Sequence, residues 1–237
     1  MKNKDANQEN DIIEAWHENA APWIDAIQKE EIESRTLVTN QAIIDAVMAQ
    51  TPKTVLDIGC GEGWLARRFS KNGINVHGID VIPELVQRAN AAGGGEFQAM
   101  SYEDLAAGKL AGHFDAAVCN FSLIGDESTI DVFRAVPKLL NQAGIFIVQT
   151  LHPVVSCGDL PYEDGWREGS WAGFSNAFKT PAPWYLRTLE TWIQLHNSHG
   201  FNLTEMREPL HPRTKKPASV IFTSKRAQCQ IKKTTCW

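Results

Sequence analysis

The stretch Val55-Leu56-Asp57-Ile58-Gly59-Cys60-Gly61-Glu62-Gly63 predicts a buried strand that runs through a glycine-rich turn into a helix. Apolar residues fill the strand, and the residues from Trp64 to Phe69 follow with a helical pattern. Three glycines at alternate positions leave the main chain bare, so a ligand can lie against it. In an α/β sheet such a turn lies at the carboxyl edge of the strands, where ligands bind.

The spacing of the glycines indicates the kind of ligand. A dinucleotide-binding turn has the spacing G-x-G-x-x-G and places a helix N-terminus against a pyrophosphate. Here the spacing is G-x-G-x-G, and Asp57 would repel a pyrophosphate at close range. S-adenosylmethionine (SAM) carries a cationic sulfonium and an ammonium and has no phosphate. We therefore predict SAM as the cofactor, held by Asp57, Gly59, Cys60 and Gly61; a strand-helix turn without a ligand is the alternative.

A second acid supports an adenosine ligand. Asp80 ends the next predicted strand and lies 23 positions after Asp57. An acid about twenty residues beyond the glycine turn is placed to accept hydrogen bonds from both ribose hydroxyls. The same carboxylate can cap the helix that begins near Pro83, and the two roles are compatible. Val81, next to this acid, is expected to contact the cofactor as well.

The segment after the third strand is expected to contact adenine. Ser101, Tyr102 and Glu103 follow that strand and can reach the edge of the ring or its amino group. The alternative is a capping box, in which Ser101 and Asp104 begin a short helix. Both roles can hold together.

Three further residues are candidates for the amino-acid part of SAM. Asn120 and Phe121 end the fourth strand beside the glycine turn, and Asn120 is expected to bond the cofactor or orient the acceptor. Arg35 lies in the N-terminal helical segment, and its guanidinium is expected to pair with the SAM carboxylate. For Arg35 the alternative is an ordinary solvated charge on a helix.

Along the chain, predicted strands alternate with predicted helices. This alternation requires a parallel sheet, and the last two strands, joined by a turn-rich loop, indicate an antiparallel hairpin. The fold class is therefore α/β. The predicted strands are 54–59, 75–80, 96–99, 114–120, 145–150, 201–207 and 218–223, and the predicted helices are 11–29, 31–49, 64–71, 83–92, 129–140 and 184–198.

The chain divides into three regions. Residues 1–50 are predicted to form an N-terminal helical cap, with residues 1–10 frayed and a break at Pro22. Residues 51–224 form the SAM-binding domain, and residues 225–237 form a polar, basic tail.

An aromatic insertion at about 151–184 is predicted to be a lid, because long irregular loops in compact domains are usually lids or binding loops. We expect Trp166, Trp171, Trp184 and Tyr185 to form an apolar substrate pocket there. The alternative is aromatic packing over an exposed end of the sheet.

Composition and charge indicate which binding partners and which cellular compartment to expect. The net charge of −5 gives no electrostatic reason to expect a nucleic acid. Five cysteines, an odd number without a CxxC pair, indicate reduced thiols in a cytoplasmic protein and no zinc framework. No cluster of acidic residues or histidines gathers at the strand ends, so the sequence does not indicate a site for another metal. No apolar run approaches the ~20 residues of a membrane helix, and no signal peptide is visible in the polar and charged first fifteen residues.

These residues together resemble the class I SAM-dependent methyltransferases. The stretch from Asp57 to Gly63 is similar to the family's first motif, and Asp80 matches its ribose-binding acid. Met100-Ser101 stands where an acid is common, which departs from the pattern. The resemblance implies a Rossmann-like sheet of seven strands in the order 3-2-1-4-5-7-6, with the last strand antiparallel and helices on both faces. Within the family, small-molecule enzymes such as the quinone-biosynthesis O-methyltransferases are most similar.

The resemblance implies transfer of a methyl group from SAM to a small-molecule acceptor, with O-methylation favoured. His152, directly after the fifth strand, is the first candidate for a general base and His211 the second; ordinary loop histidines are the alternative. Enzymes that methylate nucleobase amines carry two prolines after the fourth strand, whereas Asn120 is followed by Phe-Ser-Leu. A non-catalytic SAM-binding protein and an NAD-dependent oxidoreductase remain alternatives, and a homodimer is left open.

Overall fold

The computed structural model describes the backbone of residues 2–227 and the side chains of residues 7–227. Its centre is a sheet of seven strands, and a separate ribbon of two short strands, β6 and β7, lies in the predicted lid. The strands are β1 (Thr54–Ile58), β2 (Asn75–Asp80), β3 (Glu96–Ala99), β4 (Phe114–Asn120), β5 (Leu140–Thr150), β6 (Gly165–Arg167), β7 (Trp184–Leu186), β8 (Phe201–Arg207) and β9 (Val220–Arg226).

The main sheet has the order β3-β2-β1-β4-β5-β9-β8. The first five of these strands pair in parallel, and β9 runs antiparallel to both β5 and β8. Counted along the main sheet alone, this is the order 3-2-1-4-5-7-6 with a reversed last strand. The predicted fold class and strand order are therefore confirmed.

Helices cover both faces of the sheet. One face packs against α5, α6 and α8, the other against α2, α3 and α4, and α1 packs on α4 near the end of β2. No helix in residues 2–227 has the length and apolarity needed to cross a bilayer. The helices are α1 (Lys2–Gln28), α2 (Asn40–Met48), α3 (Trp64–Ser70), α4 (Pro83–Ala92), α5 (Tyr102–Ala106), α6 (Glu127–Leu139), α7 (Pro153–Ser156) and α8 (Leu189–Ser198).

The N-terminal region differs from the prediction. α1 is one helix that starts at Lys2 and passes through Pro22 without ending. Proline removes one helical hydrogen bond, but packing of an apolar face contributes most of a helix's stability. Trp16 and Trp23 of α1 pack with Leu85, and this tertiary contact outweighs the local proline signal.

The predicted helix 31–49 is interrupted by a wider π-helical turn, Arg35–Thr39. The N–H of Asn40 donates to the carbonyl of Arg35, five residues earlier. Such π turns are rare and occur often at functional sites. Arg35, which begins this turn, is buried.

The C-terminal half also needs corrections. The predicted helix 184–198 begins only at Leu189, where the hydroxyl of Thr188 accepts the N–H of Thr191 and caps it. Trp184–Leu186 is instead β7, which pairs with β6, so the lid is partly ordered by a ribbon. The predicted tail starts too early, because Lys225 still pairs with Ile145 in β5. Residues 228–237 of that tail lie outside the described residues.

The glycine turn joins β1 to β4 as well as to α3. The hydroxyl of Ser122, just beyond β4, donates to the carbonyl of Ile58 at 2.6 Å. Gly59 has a φ of +72°, and a Cβ there would collide with the Ser122 side chain and lie 2.7 Å from the Tyr102 hydroxyl. Both the backbone conformation and the close approach therefore require glycine.

We predict that Gly59→Ala lowers the melting temperature more than Gly73→Ala. Both glycines have φ near +75°, at +72° and +78°, so both variants carry left-handed strain. At Gly73 nothing lies within 4 Å of an added Cβ, so strain alone should lower the Tm by about 2–4 °C. At Gly59 the Ser122 side chain must also move. Equal Tm losses in thermal unfolding would contradict the close approach.

Candidate active site

A cleft of about 600 Å³ opens at the carboxyl edge of the sheet, where β1, β2 and β4 end. Its volume lies in the usual range for small-molecule sites. It is also lined by α1, by the start of the π turn and by the insertion at 151–184 that we predicted to be a lid and call the lid below. Every predicted cofactor residue except Asp57 lies on it: Arg35, Gly59, Cys60, Gly61, Asp80, Val81, Ser101, Tyr102, Glu103, Asn120 and Phe121.

Asp57 does not take the position that we predicted. Its side chain is 1% exposed and is not among the residues that line the cleft. Burial, with smaller contributions from Asp80 and Glu62, raises the pKa of the Asp57 carboxyl to about 8. Because a group with that pKa is mostly protonated at neutral pH, Asp57 supplies little of the negative charge that we assigned to the turn. The acids that line the turn are Asp80 and Glu62.

Asp80 holds the glycine turn in place. One carboxylate oxygen accepts the N–H of Gly61 at 2.8 Å, and the other accepts the N–H of Ile82 at 2.9 Å. Burial raises the pKa of Asp80, and these N–H groups counteract the rise. Each carboxylate oxygen has a second lone pair, so the same group can also accept from ligand hydroxyls.

Arg35 is a buried cation at the edge of the glycine turn. Its guanidinium lies 5.4 Å from the ring of Trp23 and 4.9 Å from that of Trp64, and its Nε donates to Asn40 at 3.3 Å. Burial lowers the pKa of Arg35 to about 10, so it stays charged at neutral pH. Its Nη2 is buried without a partner among the described residues. An unpaired buried charged donor is costly, and a ligand carboxylate would satisfy it.

Asn120 presents a hydrogen-bond acceptor, which complements the donor of Arg35. Its Oδ1 is buried without a hydrogen-bond partner among the described residues, and Asn120 lines the cleft. A carbonyl oxygen of this kind can accept from a ligand ammonium. The next residue, Phe121, has a φ of +56°, which is rare for a residue with a side chain, and its N–H donates to Gln149 at 2.8 Å. Such strain is typical of ligand-binding turns.

The segment predicted to contact adenine, residues 101–103, also has the geometry of a helix N-cap. The Ser101 hydroxyl accepts the N–H of Asp104 at 3.1 Å and begins α5. The hydroxyl of Tyr102 donates to the Ser122 carbonyl at 3.2 Å, and burial raises the pKa of this phenol well above its usual value. Tyr102 therefore links α5 to the turn after β4 and also lines the cleft.

Neither candidate histidine lines the cleft. The ring of His152, the N-cap residue of α7, is buried against Glu208, with Nε2 2.6 Å from the carboxylate. His211 lies in the β8–β9 loop, where its ring accepts backbone N–H groups and Nε2 is 3.6 Å from Glu33. Our expectation that a histidine faces the reacting methyl group is therefore not supported. No histidine lines the cleft within residues 7–227.

The lid aromatics divide into two groups. Trp171, Trp184 and Tyr185 line the cleft, as predicted. Trp166 does not; it packs edge-on behind Tyr185 with 5.4 Å between ring centres. Trp16 of α1 also lines the cleft and packs 6.0 Å from Trp171, so α1 and the lid form one wall.

Among the charged residues of the cleft that the prediction missed are Glu9 and Arg187. Glu9 reaches from α1 to the start of α6, and Arg187 is 3% exposed and donates to the Gly125 carbonyl at 2.8 Å and to Asp126 at 2.7 Å. No motif surrounds either residue, and their partners are far away in sequence. Among the described residues, no group of three or more histidine, cysteine, aspartate or glutamate side chains is arranged to hold a metal.

A family model described as a methyltransferase domain matches residues 33–206. This chain belongs to the methyltransferase-domain family. The predicted family is thus confirmed. The ubiquinone biosynthesis O-methyltransferase of Xanthomonas axonopodis pv. citri (strain 306) is 37% identical over 103 residues, which cover 41% of this chain and 43% of that protein. This methyltransferase-family chain therefore matches less than half the length of such relatives.

Solved structures share the fold of this methyltransferase-family chain. A SAM-dependent methyltransferase from Clostridium acetobutylicum ATCC 824 superposes with a TM-score of 0.64 at 15% identity, over 87% of this chain and 97% of that one. The 1,6-didemethyltoxoflavin-N1-methyltransferase of Burkholderia thailandensis gives a TM-score of 0.61 at 17% identity, over 92% and 91%. At these identities the similarity shows the fold alone.

We predict that stability depends on pH through Asp57. Its pKa in the folded protein, about 8, is higher than the usual 3.8, so the folded state keeps a proton that the unfolded chain releases. Stability should therefore fall as pH rises through this window. In thermal unfolding between about pH 5 and pH 8, the wild-type Tm should fall relative to that of the D57N variant. The exposed control D159N should show the same pH dependence of the Tm as the wild type. A Tm difference between wild type and D57N that does not change with pH would contradict the raised pKa of Asp57.

Proposed function

We propose that this chain transfers the methyl group of SAM to a small-molecule acceptor, with oxygen as the favoured acceptor atom. The observation that carries the proposal is the pair of unpartnered buried groups, Arg35 Nη2 and Asn120 Oδ1, beside a bare glycine turn. The amino-acid end of SAM has a carboxylate and an ammonium that match these two groups. A guanidinium also suits a phosphate, but the Asn120 carbonyl oxygen would repel one, so the two groups together favour SAM over a pyrophosphate.

The residues of the cleft give each part of SAM a partner. Arg35 would hold the carboxylate, Asn120 the ammonium and Asp80 the ribose hydroxyls, while Ser101 and Glu103 line the expected adenine end. Once bound, SAM supplies a methyl group made electrophilic by its sulfonium. The protein's part is to hold that methyl group and the acceptor in line.

Positioning is the main contribution that the cleft offers. Holding two reactants in near-attack geometry can save about 7–11 kcal/mol. Asn19 ties α1 to the lid: its Nδ2 donates to Thr180 at 3.0 Å and its Oδ1 accepts the N–H of Lys179 at 2.7 Å. A cover of this kind keeps water from the reacting groups. Carboxylates but no histidine line the described cleft, and a phenol depends less on a general base than an alcohol does, so a phenol is the acceptor that this site favours.

Relatives support oxygen as the acceptor atom without deciding it. The curated relative from Xanthomonas is named an O-methyltransferase, whereas the Burkholderia neighbour is named an N1-methyltransferase. We also infer a cytoplasmic location, because Cys60, Cys119 and Cys157 are unpaired buried thiols. Cys229 and Cys236 lie outside the described residues. The homodimer stays a prediction.

The proposal is tested by binding and turnover measured together. Calorimetry should detect SAM and S-adenosylhomocysteine (SAH) but not NADH. Incubation with methyl-labelled SAM and a panel of phenols and hydroxylated heterocycles should then give labelled product and SAH. Binding of NADH instead of SAM would overturn the proposal. Tight SAM binding without transfer to any acceptor would favour a non-catalytic SAM-binding protein.

We predict that Arg35→Ala weakens SAH binding by about ten- to one-hundred-fold, because a hydrogen bond to a charged group contributes ~1.5–3 kcal/mol. The matched control is Arg88→Ala, an exposed arginine on α4 that does not line the cleft. Calorimetric titration of both variants with SAH measures the difference. Unchanged affinity in R35A would remove Arg35 from the cofactor site.

A further inference from the structure

One part of the cleft is built from aromatic rings and carboxylates. We call it the acceptor end and define it by Glu9, Trp16, Glu127, Asp131, Trp171 and Tyr185, which all line the cleft. It lies where α1, the first turn of α6 and the lid meet. None of these six residues is assigned above to SAM. Trp16 packs in the same apolar cluster as Val81 and marks where the acceptor end meets the cofactor side, and the other five are available to the second substrate.

The one arginine beside the acceptor end is already neutralised. Arg187 donates to the Gly125 carbonyl, to the Asp126 carbonyl at 2.7 Å and to the Asp126 carboxylate at 2.7 Å. Its guanidinium lies 4.8 Å from the Tyr185 ring, and Asp164 and Glu9 add negative charge nearby. Apart from Arg35, which faces the cofactor, Arg187 is the only lysine or arginine that lines the cleft within the described residues.

The N-terminus of α6 is also neutralised, by Glu9. A helix N-terminus carries partial positive charge and unpaired N–H groups, which would attract an anionic ligand. Here one carboxylate oxygen of Glu9 accepts the N–H of Asp126 at 2.6 Å and that of Ser128 at 3.4 Å. Gly125 leaves room for this contact, because a Cβ there would collide with the Glu9 carboxylate. An internal carboxylate thus occupies the place of a ligand anion.

Two further carboxylates remain at the acceptor end. Glu127 is exposed and forms no hydrogen bond or ion pair with the described residues. Asp131 pairs with Arg134 at 3.1 Å, and Arg134 does not line the cleft. With Arg187, Asp131 and the helix terminus each compensated by a partner, Glu127 leaves the acceptor end with a net negative charge between aromatic rings. Aromatic faces attract flat rings and cations, and carboxylates repel anions.

We infer that the acceptor is a flat aromatic compound that is neutral or positively charged, and that Glu9 is the residue that excludes anionic acceptors. This inference rests on the proposed methyl transfer and specifies its substrate class. Glu9 acts on specificity by occupying the start of α6; it has no assigned part in the methyl transfer itself.

The test uses three para-substituted phenols of similar size that differ in charge. Para-ethylphenol is neutral, tyramine is cationic and phloretate is anionic at about pH 7. Each is titrated into the SAH-saturated protein at low salt, with calorimetry as the readout. Para-ethylphenol and tyramine should bind at least about ten-fold more tightly than phloretate, and added salt should reduce the preference for tyramine over para-ethylphenol.

Variants separate the two sources of charge. Glu9→Gln keeps an oxygen for the α6 N–H groups but removes the charge, so phloretate should bind about three-fold more tightly or better. The E127Q/D131N double variant should bring tyramine close to para-ethylphenol. The control is Glu14→Gln, an exposed residue of α1 outside the cleft, which should leave all three affinities unchanged. SAH affinity, measured in every variant, shows that the fold and the cofactor site are intact.

The outcomes are distinguishable from a failure of the proposed function. If SAH binds and phloretate binds as tightly as para-ethylphenol, the charge preference is overturned. If SAH binds and none of the three phenols does, the aromatic class is overturned while the cofactor assignment stands. If phloretate affinity in E9Q equals that of the wild type, Glu9 does not set the preference. If SAH itself does not bind, the proposed function fails and the inference fails with it.

Discussion

The close contact between the turn after β1 and the turn after β4 is the constraint on which the site depends. Ser122 lies so near Gly59 that no side chain fits between them, and its hydroxyl holds the last carbonyl of β1. Asp80 holds the other side of the same turn through the N–H of Gly61. Three neighbouring parallel strands are thereby fixed at their carboxyl ends, and the glycine main chain is left facing the cleft.

The local signals of the sequence were enough for much of the fold. β2, β3, β4 and α4 have the predicted bounds, because apolar runs, Pro83 and the glycines after Ala92 define them without distant contacts. Where the prediction was wrong, a tertiary contact prevailed over a local signal. Pro22 does not end α1, since Trp16 and Trp23 hold that helix against α4. Trp184–Leu186 is a strand because β6, 17 to 21 residues earlier, supplies its partner.

The sequence predicted those residues of the site that directly follow the ends of strands. The residues that end β1, β2 and β4 come together because parallel strands share one edge, which topology alone guarantees. Orientation and protonation were not predictable. His152 follows β5 but turns toward Glu208, and burial makes Asp57 largely neutral. Glu9 and Arg187 meet at the start of α6 from distant parts of the sequence.

The cleft combines a proposed cofactor side, built from strand ends, with a proposed acceptor side, built from α1, α6 and the lid. The crystal structure of the SAH complex tests this account most directly. It should show the ribose hydroxyls on the Asp80 carboxylate, the SAH carboxylate on Arg35 Nη2 and the thioether facing the aromatic wall of Trp16 and Trp171. SAH bound away from the glycine turn, or with its ribose turned from Asp80, would contradict the account.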